Sequence, residues 1–253
     1  MKKISIALIL FIAVCFSAGA QQLFLDKAEI EFEVKTNVKK TIGNGMFADM
    51  LKENMPQFKT AYFHYSFADN KSIYKFHHWA EGPKVPEFMR RDDEQNIYFF
   101  DYGQDKMYQQ KAIVGSNFMV QDSIPKIKWK LSNESRMIAG FNCRKAVGII
   151  MDSVYVFAFY TDEIMVPGGP CSINGLPGMI LGLTIPRMYT SYIATKVMVN
   201  GLNEQEIKPV TSKKFETRTS LKKFILERSK EWSSDDDEDS KAWKNQFVWG
   251  ALL

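Results

Sequence analysis

The chain of 253 residues has few of the residues that make catalytic and metal sites easy to recognise, with three cysteines and three histidines. It lacks Cys-x-x-Cys, His-Glu-x-x-His, Gly-x-Ser-x-Gly, phosphate-loop and dinucleotide-binding motifs. After its first 20 residues it also lacks an apolar run long enough to cross a bilayer. These absences argue against the common enzyme classes, against a cofactor, and against a transmembrane segment in the mature chain.

The N-terminus has the order of a secretory signal peptide. Met1-Lys2-Lys3 precedes an apolar run over residues 4–16, and small residues follow at 17–20. The run is too short to span a bilayer. We predict that residues 1–20 are a signal peptide cleaved after Ala20, which would place the mature chain in the periplasm or outside the cell. An N-terminal anchor is the alternative.

Charge gives no support for a nucleic-acid partner or an anionic membrane surface. Removing Lys2 and Lys3 lowers the formal net charge from +4 to +2. This charge is too small to indicate either partner.

Residues 21–253 are enough for one domain, and the hydrophobic content of 45% favours a packed core. We predict a single β domain over residues 21–232, followed by an acidic, flexible tail over 233–253.

The strand pattern runs through most of the mature chain. In residues 28–38, Ile30, Phe32 and Val34 alternate with charged residues, which indicates an antiparallel strand with one wet face. Similar runs, separated by turn residues, cover 60–67, 72–79, 96–101, 106–112, 116–122, 127–131, 136–138, 143–151, 154–160, 179–183, 189–199 and, after Asn200-Gly201, 206–210.

Two segments have helical spacing. They are residues 45–54 and a stripe that begins at Leu221, after a cap at Thr219 or Ser220. The predicted fold is therefore mainly β: an antiparallel meander of hairpins forming a curved sheet or half-barrel, with a short N-terminal helix and a C-terminal amphipathic helix.

The polar residues suggest three kinds of chemistry, each with a plainer alternative. His77 and His78 are adjacent on a strand and should point to opposite faces, so with His64 they predict no metal site unless a bulge intervenes. Asp162 and Glu163 are either an acid/base pair or a solvated strand end. Cys171 is a candidate nucleophile, but in an oxidising compartment Cys143 and Cys171 are more often a disulfide. Two separately buried thiols are the remaining possibility.

Two Gly/Pro clusters, Gly168-Gly169-Pro170 and Gly175-Leu176-Pro177-Gly178, flank Cys171 between apolar strands. They allow a long loop to fold tightly, either as a structural clasp or as a contact surface. The candidate contact loop consists of Gly175, Leu176, Pro177, Gly178, Met179 and Ile180.

The segment over residues 160–183, with upstream matches at 138–146 and 159–164, resembles the GLPGLI family. Its members are secreted proteins of Gram-negative bacteria without an assigned biochemical activity. The resemblance implies export and a strand-rich fold but no reaction. Met179-Ile180 departs from the usual Leu-Ile, which is a volume-conserving exchange.

Aromatic residues are more numerous than one sheet face needs, and they would either pack in the core or line a ligand pocket. They are Tyr62, Phe63, Tyr65, Phe67, Phe99, Phe100, Phe157 and Phe159. We predict an exported cell-envelope binding protein without catalysis, which binds an apolar ligand such as a lipid, or a periplasmic or outer-membrane protein. The alternative is a cell-envelope hydrolase that uses Cys171 or Asp162 and Glu163.

Overall fold

The computed structural model describes residues 25–42, 46–232 and 238–253. The predicted signal peptide, with its cleavage point, lies outside the described residues, as do positions 235–237 of the acidic run. Within the described part of the chain, no helix is both long and apolar enough to span a membrane.

The protein is mainly β, as predicted, and its strands form one open antiparallel sheet. The order across the sheet is β6-β5-β4-β3-β2-β1-β11-β10-β9-β8-β7. The strands are β1 Ala28–Asn37, β2 Phe58–Ala68, β3 Lys71–Trp79, β4 Ile97–Asp101, β5 Lys106–Ile113, β6 Ser116–Ser123, β7 Trp129–Ile138, β8 Phe141–Ile150, β9 Val154–Thr161, β10 Met179–Ile185 and β11 Thr190–Met198.

The sheet consists of two meanders joined at β1. One runs outward from β1 to β6, and the other runs inward from β7 to β11, where β11 pairs with β1. Both edges of β11 are therefore occupied, by β1 and β10. The predicted strand over 206–210 cannot pair with β11, and that prediction is wrong because these residues form no strand. Glu204–Glu206 form a short 3-10 helix there instead.

The two faces of the sheet are distinguished by the register of its strands. Tyr65 pairs with Tyr74 on what we call the inner face, and Tyr192 lies on the same face because Val34 of β1 pairs with it. Across the other half, Tyr192 pairs with Leu183 and Leu183 with Ala158. Residues that alternate with these, such as Phe159, point to the opposite, outer face.

Among the described residues, five α-helices accompany the sheet: α1 Val38–Thr41, α2 Met46–Glu53, α3 Arg91–Gln95, α4 Arg218–Trp232 and α5 Glu238–Leu252. The helices α2 and α4 were predicted. The cap of α4 is Thr217 rather than Thr219 or Ser220, since its Oγ1 accepts a hydrogen bond from the Ser220 amide at 3.1 Å. Leu221 and Ile225 form the buried stripe of this helix.

The prediction of a flexible tail over 233–253 is wrong for its second part. Residues 238–252 form α5, and Val248 and Leu253 are buried against the rest of the protein. The Ser172 hydroxyl donates a hydrogen bond of 2.8 Å to the backbone oxygen of Leu253. The apolar side chains at the end of the segment outweigh the acidic run that suggested a solvated tail.

Candidate functional site

A cavity of about 720 Å³ lies against the inner face of the sheet. This volume lies within the usual range for small-molecule pockets. Its walls come from β1 to β5, β11, all the helices except α4, and the loop that carries Cys171. The lining residues are Val34, Thr36, Val38, Thr41, Ile42, Leu51, Met55, Lys59, Ala61, Phe63, Tyr74, Phe88, Met89, Asp92, Asp93, Asn96, Tyr98, Ala112, Ile113, Cys171, Met188, Thr190, Tyr192, Gln246, Phe247, Gly250, Ala251 and Leu253.

The wall is mostly apolar, but one side carries charge. The Lys59 ammonium lies 2.5 Å from a carboxylate oxygen of Asp93, so this pair neutralises itself. The neighbouring Asp92 lacks such a pairing with Lys59. Its burial, together with the Asp93 charge, raises the pKa of the Asp92 carboxyl. The cavity wall therefore carries a carboxyl group, that of Asp92, whose oxygens can accept a hydrogen bond from a ligand.

Tyr74 contributes a buried hydroxyl group to this wall. Its ring stacks on Phe63, with centroids 5.1 Å apart and planes 10° from parallel. Its side chain is buried, and its hydroxyl has no hydrogen-bond partner among the described residues. Burial also raises the pKa of this phenol well above its ordinary value, so it is neutral. A buried hydroxyl left unsatisfied costs roughly 1–3 kcal/mol, which a polar ligand atom would recover.

Cys171 also lines the cavity, in a left-handed backbone conformation with φ of 55°. Its Sγ lies 3.7 Å from the hydroxyl oxygen of Tyr192. Burial raises the pKa of the Cys171 thiol to about 11, against the opposing effects of Lys111 and of the hydroxyls of Tyr192 and Tyr98. The thiol is thus protonated at neutral pH, whereas a cysteine nucleophile acts as the thiolate.

Lys111 on β5 is fully buried close to Cys171 and Tyr98. Its Nζ donates a 2.9 Å hydrogen bond to the Tyr98 hydroxyl. Burial lowers the pKa of this ammonium to about 8. The sequence predicted no role for Lys111, because a lysine on a strand normally faces solvent and nothing in the local pattern distinguishes this one.

The predicted disulfide between Cys143 and Cys171 is absent, and both residues are buried free thiols. Cys143 lies two residues before Lys145, which pairs with Phe159, so Cys143 shares the outer face with Phe159. Cys171 contacts Tyr192 on the inner face. The sheet therefore separates the two thiols. An oxidising compartment favours a bridge only between cysteines that the fold brings together, and the number of cysteines in the sequence does not reveal on which face of the sheet each one lies.

The candidate contact loop is buried at four of its six positions, whereas Gly175 and Pro177 are exposed. Leu176, Met179 and Ile180 are each at most 1% exposed, and Gly178 has a φ of 143° that favours glycine. A Cβ atom at Gly178 would come within 2.0 Å of the Thr161 carbonyl oxygen. The segment is thus a clasp packed into the core. The inward apolar side chains favour this alternative, and a contact surface at the exposed Gly175 and Pro177 stays a prediction.

Asp162 and Glu163 lie outside the cavity lining. A carboxylate oxygen of Asp162 forms an exposed ion pair with Arg144 at 2.8 Å. The Glu163 backbone amide donates to the Thr161 hydroxyl at 3.3 Å. These contacts fit a solvated strand end.

Of the aromatic residues considered for a ligand pocket, Phe63 lines the cavity. Tyr65, Phe67 and Phe100 are buried in the core, and Phe159 lies under the guanidinium of Arg136. Three tyrosines of the wall were not predicted from the sequence: Tyr74, Tyr98 and Tyr192. The regular alternation of residues along β3 could have indicated that Tyr74 faces the inside of the protein. The position of Tyr192 in the cavity wall, in contrast, depends on the pairing of β1 with β11.

The histidines do not lie as the alternation of a regular strand predicts. The pairing of β2 with β3 shifts between Tyr62 and Phe63, and this bulge leaves His77 as an extra residue in β3. The ring of His77 stacks on His64 at 3.8 Å, and the ring of His78 stacks on Tyr62 at 4.6 Å. Both adjacent histidines therefore lie on the outer face.

Comparisons with known proteins give a family and a fold. The family model described as "N-glycanase peptide, N-terminal domain" matches residues 94–221, about half of the chain. The structure of PNGF-II in the P21 space group has a TM-score of 0.50 and 15% identity, and the match covers 80% of this chain and 33% of that chain. At this identity the likeness shows the fold alone.

Two further solved structures are similar at lower scores. PNGF-II in the C2 space group has a TM-score of 0.49 and 13% identity, covering 90% of this chain and 33% of that one. An uncharacterised conserved protein from Thermus thermophilus has a TM-score of 0.37 and 8% identity, covering 78% and 93%. The chain thus spans about a third of the length of the PNGF-II chains it matches. No curated protein matches the chain.

Proposed function

Because the chain belongs to the family described as "N-glycanase peptide, N-terminal domain", we propose that it is a binding domain that holds an amphipathic small molecule in the cavity on its inner face. N-glycanase activity is no part of the proposal, since the chain spans about a third of the PNGF-II chains. Export to the cell envelope and the resemblance to the GLPGLI family stay predictions.

The single observation that carries the proposal is the hydroxyl of Tyr74, which is buried in the cavity wall without a hydrogen-bond partner in the part of the chain that the structure describes. Native proteins satisfy nearly all such groups. A ligand with a hydroxyl or amide group would complete the hydrogen bond, and Asp92 on another part of the wall can accept a second one. The ligand that fits best therefore has a polar group able to donate.

The remaining wall favours an apolar body for the same ligand. Side chains such as Val34, Leu51, Ile113 and Phe247 line the cavity, and they gain by the removal of apolar surface from water. A protein partner is less well supported, because the apolar side chains of the loop considered for docking, those of Leu176, Met179 and Ile180, are buried. Catalysis is also less well supported, since the Cys171 thiol is protonated and Asp162 and Glu163 lie elsewhere.

The experiment uses delipidated protein and N-phenylnaphthylamine, a dye whose fluorescence rises in apolar sites. We expect the dye to bind one site per chain and 1-decanol to displace it better than undecane, a hydrocarbon of the same chain length in heavy atoms that cannot form a hydrogen bond with Tyr74. Substitution of Tyr74→Phe should reduce this preference, because the hydroxyl that distinguishes the two compounds is gone.

Two alanines supply a matched control. Ala61 is buried in the cavity wall, on the face of β2 that carries Phe63, whereas Ala80 is half-buried outside the wall. Ala61→Leu should lower the dye affinity by filling the cavity, and Ala80→Leu should leave it unchanged. Equal dye binding by both variants, or displacement by neither compound, would overturn the proposal.

A further inference from the structure

The outer face of the sheet carries a second group of residues, which is independent of the cavity. Glu31 on β1, His64 on β2 and His77 on β3 each present a nitrogen or oxygen atom, and these three atoms lie within 4.8 Å of one another. Glu31 pairs directly with His64 across the two strands. The bulge in β2–β3 pairing brings His77 over His64.

The carboxylate of Glu31 is held so that one oxygen remains directed at the histidines. Its Oε1 accepts a hydrogen bond of 2.7 Å from the Thr195 hydroxyl and lies 3.4 Å from the Lys196 ammonium. Its Oε2 lies 3.8 Å from Nε2 of His64. The side chain is 11% exposed, and these contacts fix its position.

His64 is oriented by a carboxylate on its other side. Its Nδ1 lies 3.1 Å from Oε1 of Glu29, and the Ser66 hydroxyl donates to Oε2 of Glu29 at 2.8 Å. A proton on Nδ1 shared with Glu29 leaves the lone pair on Nε2, which faces Glu31. A histidine whose distal nitrogen donates to a carboxylate is the common arrangement around protein-bound metals.

His77 is the exposed member of the group. Its Nδ1 lies 2.6 Å from Nδ1 of His78, so one of these nitrogens donates to the other. When His77 is the donor, its Nε2 carries a lone pair and can act as a ligand. Because the side chain is exposed, it can rotate to bind an ion without disturbing the core.

We propose that Glu31, His64 and His77 bind a divalent transition metal ion of the Zn²⁺ class on the outer face of the sheet. Two imidazoles and one carboxylate suit such ions, whereas Ca²⁺ and Mg²⁺ prefer oxygen ligands. Bonds of about 2.0–2.1 Å require ligand atoms about 3.4 Å apart, a small closure from the present positions. Water completes the coordination on the solvent side.

The test is Zn²⁺ binding by untagged protein after treatment with a chelator, measured by competition with a chromogenic chelator. We expect one Zn²⁺ per chain at micromolar concentrations. The variant His77→Ala, which changes an exposed residue, should lose at least about tenfold in affinity, and Glu31→Gln should do the same. Co²⁺ should give visible absorption of a protein-bound site in the wild type but not in His77→Ala.

Glu33→Gln is the matched control, since Glu33 follows Glu31 by two residues on the same face of β1. Its affinity for Zn²⁺ should stay within about twofold of the wild type. Equal binding by the wild type, His77→Ala and Glu33→Gln would mean an adventitious ion only and would overturn the proposal. Absence of stoichiometric binding by the wild type would do so as well. If Glu31→Gln does not fold, His77→Ala still decides the question.

Discussion

Gly168 lies so close to Tyr65 that a Cβ atom at Gly168 would come within 1.9 Å of the tyrosine hydroxyl. That hydroxyl also forms a hydrogen bond of 2.9 Å with the hydroxyl of Tyr102. On its other side, the backbone oxygen of Gly168 accepts a hydrogen bond of 2.9 Å from the Ile180 amide. The first glycine cluster of the loop is therefore a point of close approach between the clasp and the inner face of the sheet.

The variant Gly168→Ala should be less stable than the wild type by about 1–3 kcal/mol, because the added methyl group must displace a buried, hydrogen-bonded tyrosine. Urea unfolding followed by tryptophan fluorescence measures the difference. Gly103→Ala is the control, since a Cβ there would meet Asp101 at an ordinary 3.4 Å. Equal losses in the two variants would contradict the importance of this contact.

Tyr65 and Tyr74 are directly paired across β2 and β3. The Tyr65 hydroxyl forms a hydrogen bond, whereas the Tyr74 hydroxyl forms none with the described residues. Tyr65→Phe should cost about 1 kcal/mol, since it removes the hydrogen bond to Tyr102. Tyr74→Phe should leave the free energy of unfolding of delipidated protein unchanged or raise it by about 1 kcal/mol, because an unsatisfied buried hydroxyl is removed. Calorimetry on both variants makes the comparison. A clear loss of stability in Tyr74→Phe would show that this hydroxyl has a partner in the protein.

The two buried cysteines should behave as separate thiols even after passage through an oxidising compartment. Protein comprising residues 21–253, denatured without reductant and alkylated, should carry two labels, at Cys143 and Cys171. Its melting temperature should not change with reductant. In the folded state labelling should be slow, because burial raises the pKa of Cys143 to about 12 and that of Cys171 to about 11. A native mass two hydrogens lower than the reduced chain would contradict this arrangement.

Local signals in the sequence predicted most hairpins. Asp69 and Asn70 have φ of 50° and 59°, the backbone of a two-residue turn between β2 and β3. Met151 and Asp152, with φ of 49° and 65°, lie in the three-residue turn between β8 and β9. Residue type and strand alternation are enough to predict such hairpins, because the turn and its two strands are adjacent in the chain.

The errors in prediction have a different origin, namely contacts between distant segments. The strand expected at 206–210 is absent because β1 already occupies the edge of β11. The expected disulfide is absent because the sheet separates Cys143 from Cys171. The outer-face cluster depends on one bulge, which placed His77 against His64. Neither composition nor periodicity specifies long-range pairing or a single extra residue in a strand.

Lys111 should make stability depend on pH in an unusual direction. Its pKa in the folded protein is about 8, against 10.5 for an ordinary lysine, so between these values the unfolded chain binds more protons. The contribution of this residue to the free energy of unfolding therefore rises with pH across that window. Below pH 8 both states are protonated, and the cost of the buried charge, about 3 kcal/mol, is fully present.

The variant Lys111→Met removes this cost and keeps a side chain of similar length. We expect it to be more stable than the wild type near pH 7, and we expect its advantage to shrink by up to about 3 kcal/mol as the pH rises to 10. Urea unfolding at each pH gives both curves, and titration of Cys171, present in both proteins, largely cancels in the difference. Lys106→Met changes an exposed lysine on the same strand. Its free energy of unfolding should depend on pH in the same way as that of the wild type. Parallel curves for Lys111→Met as well would mean that Lys111 titrates in the folded protein as it does in the unfolded chain, because only a depressed pKa makes the difference depend on pH.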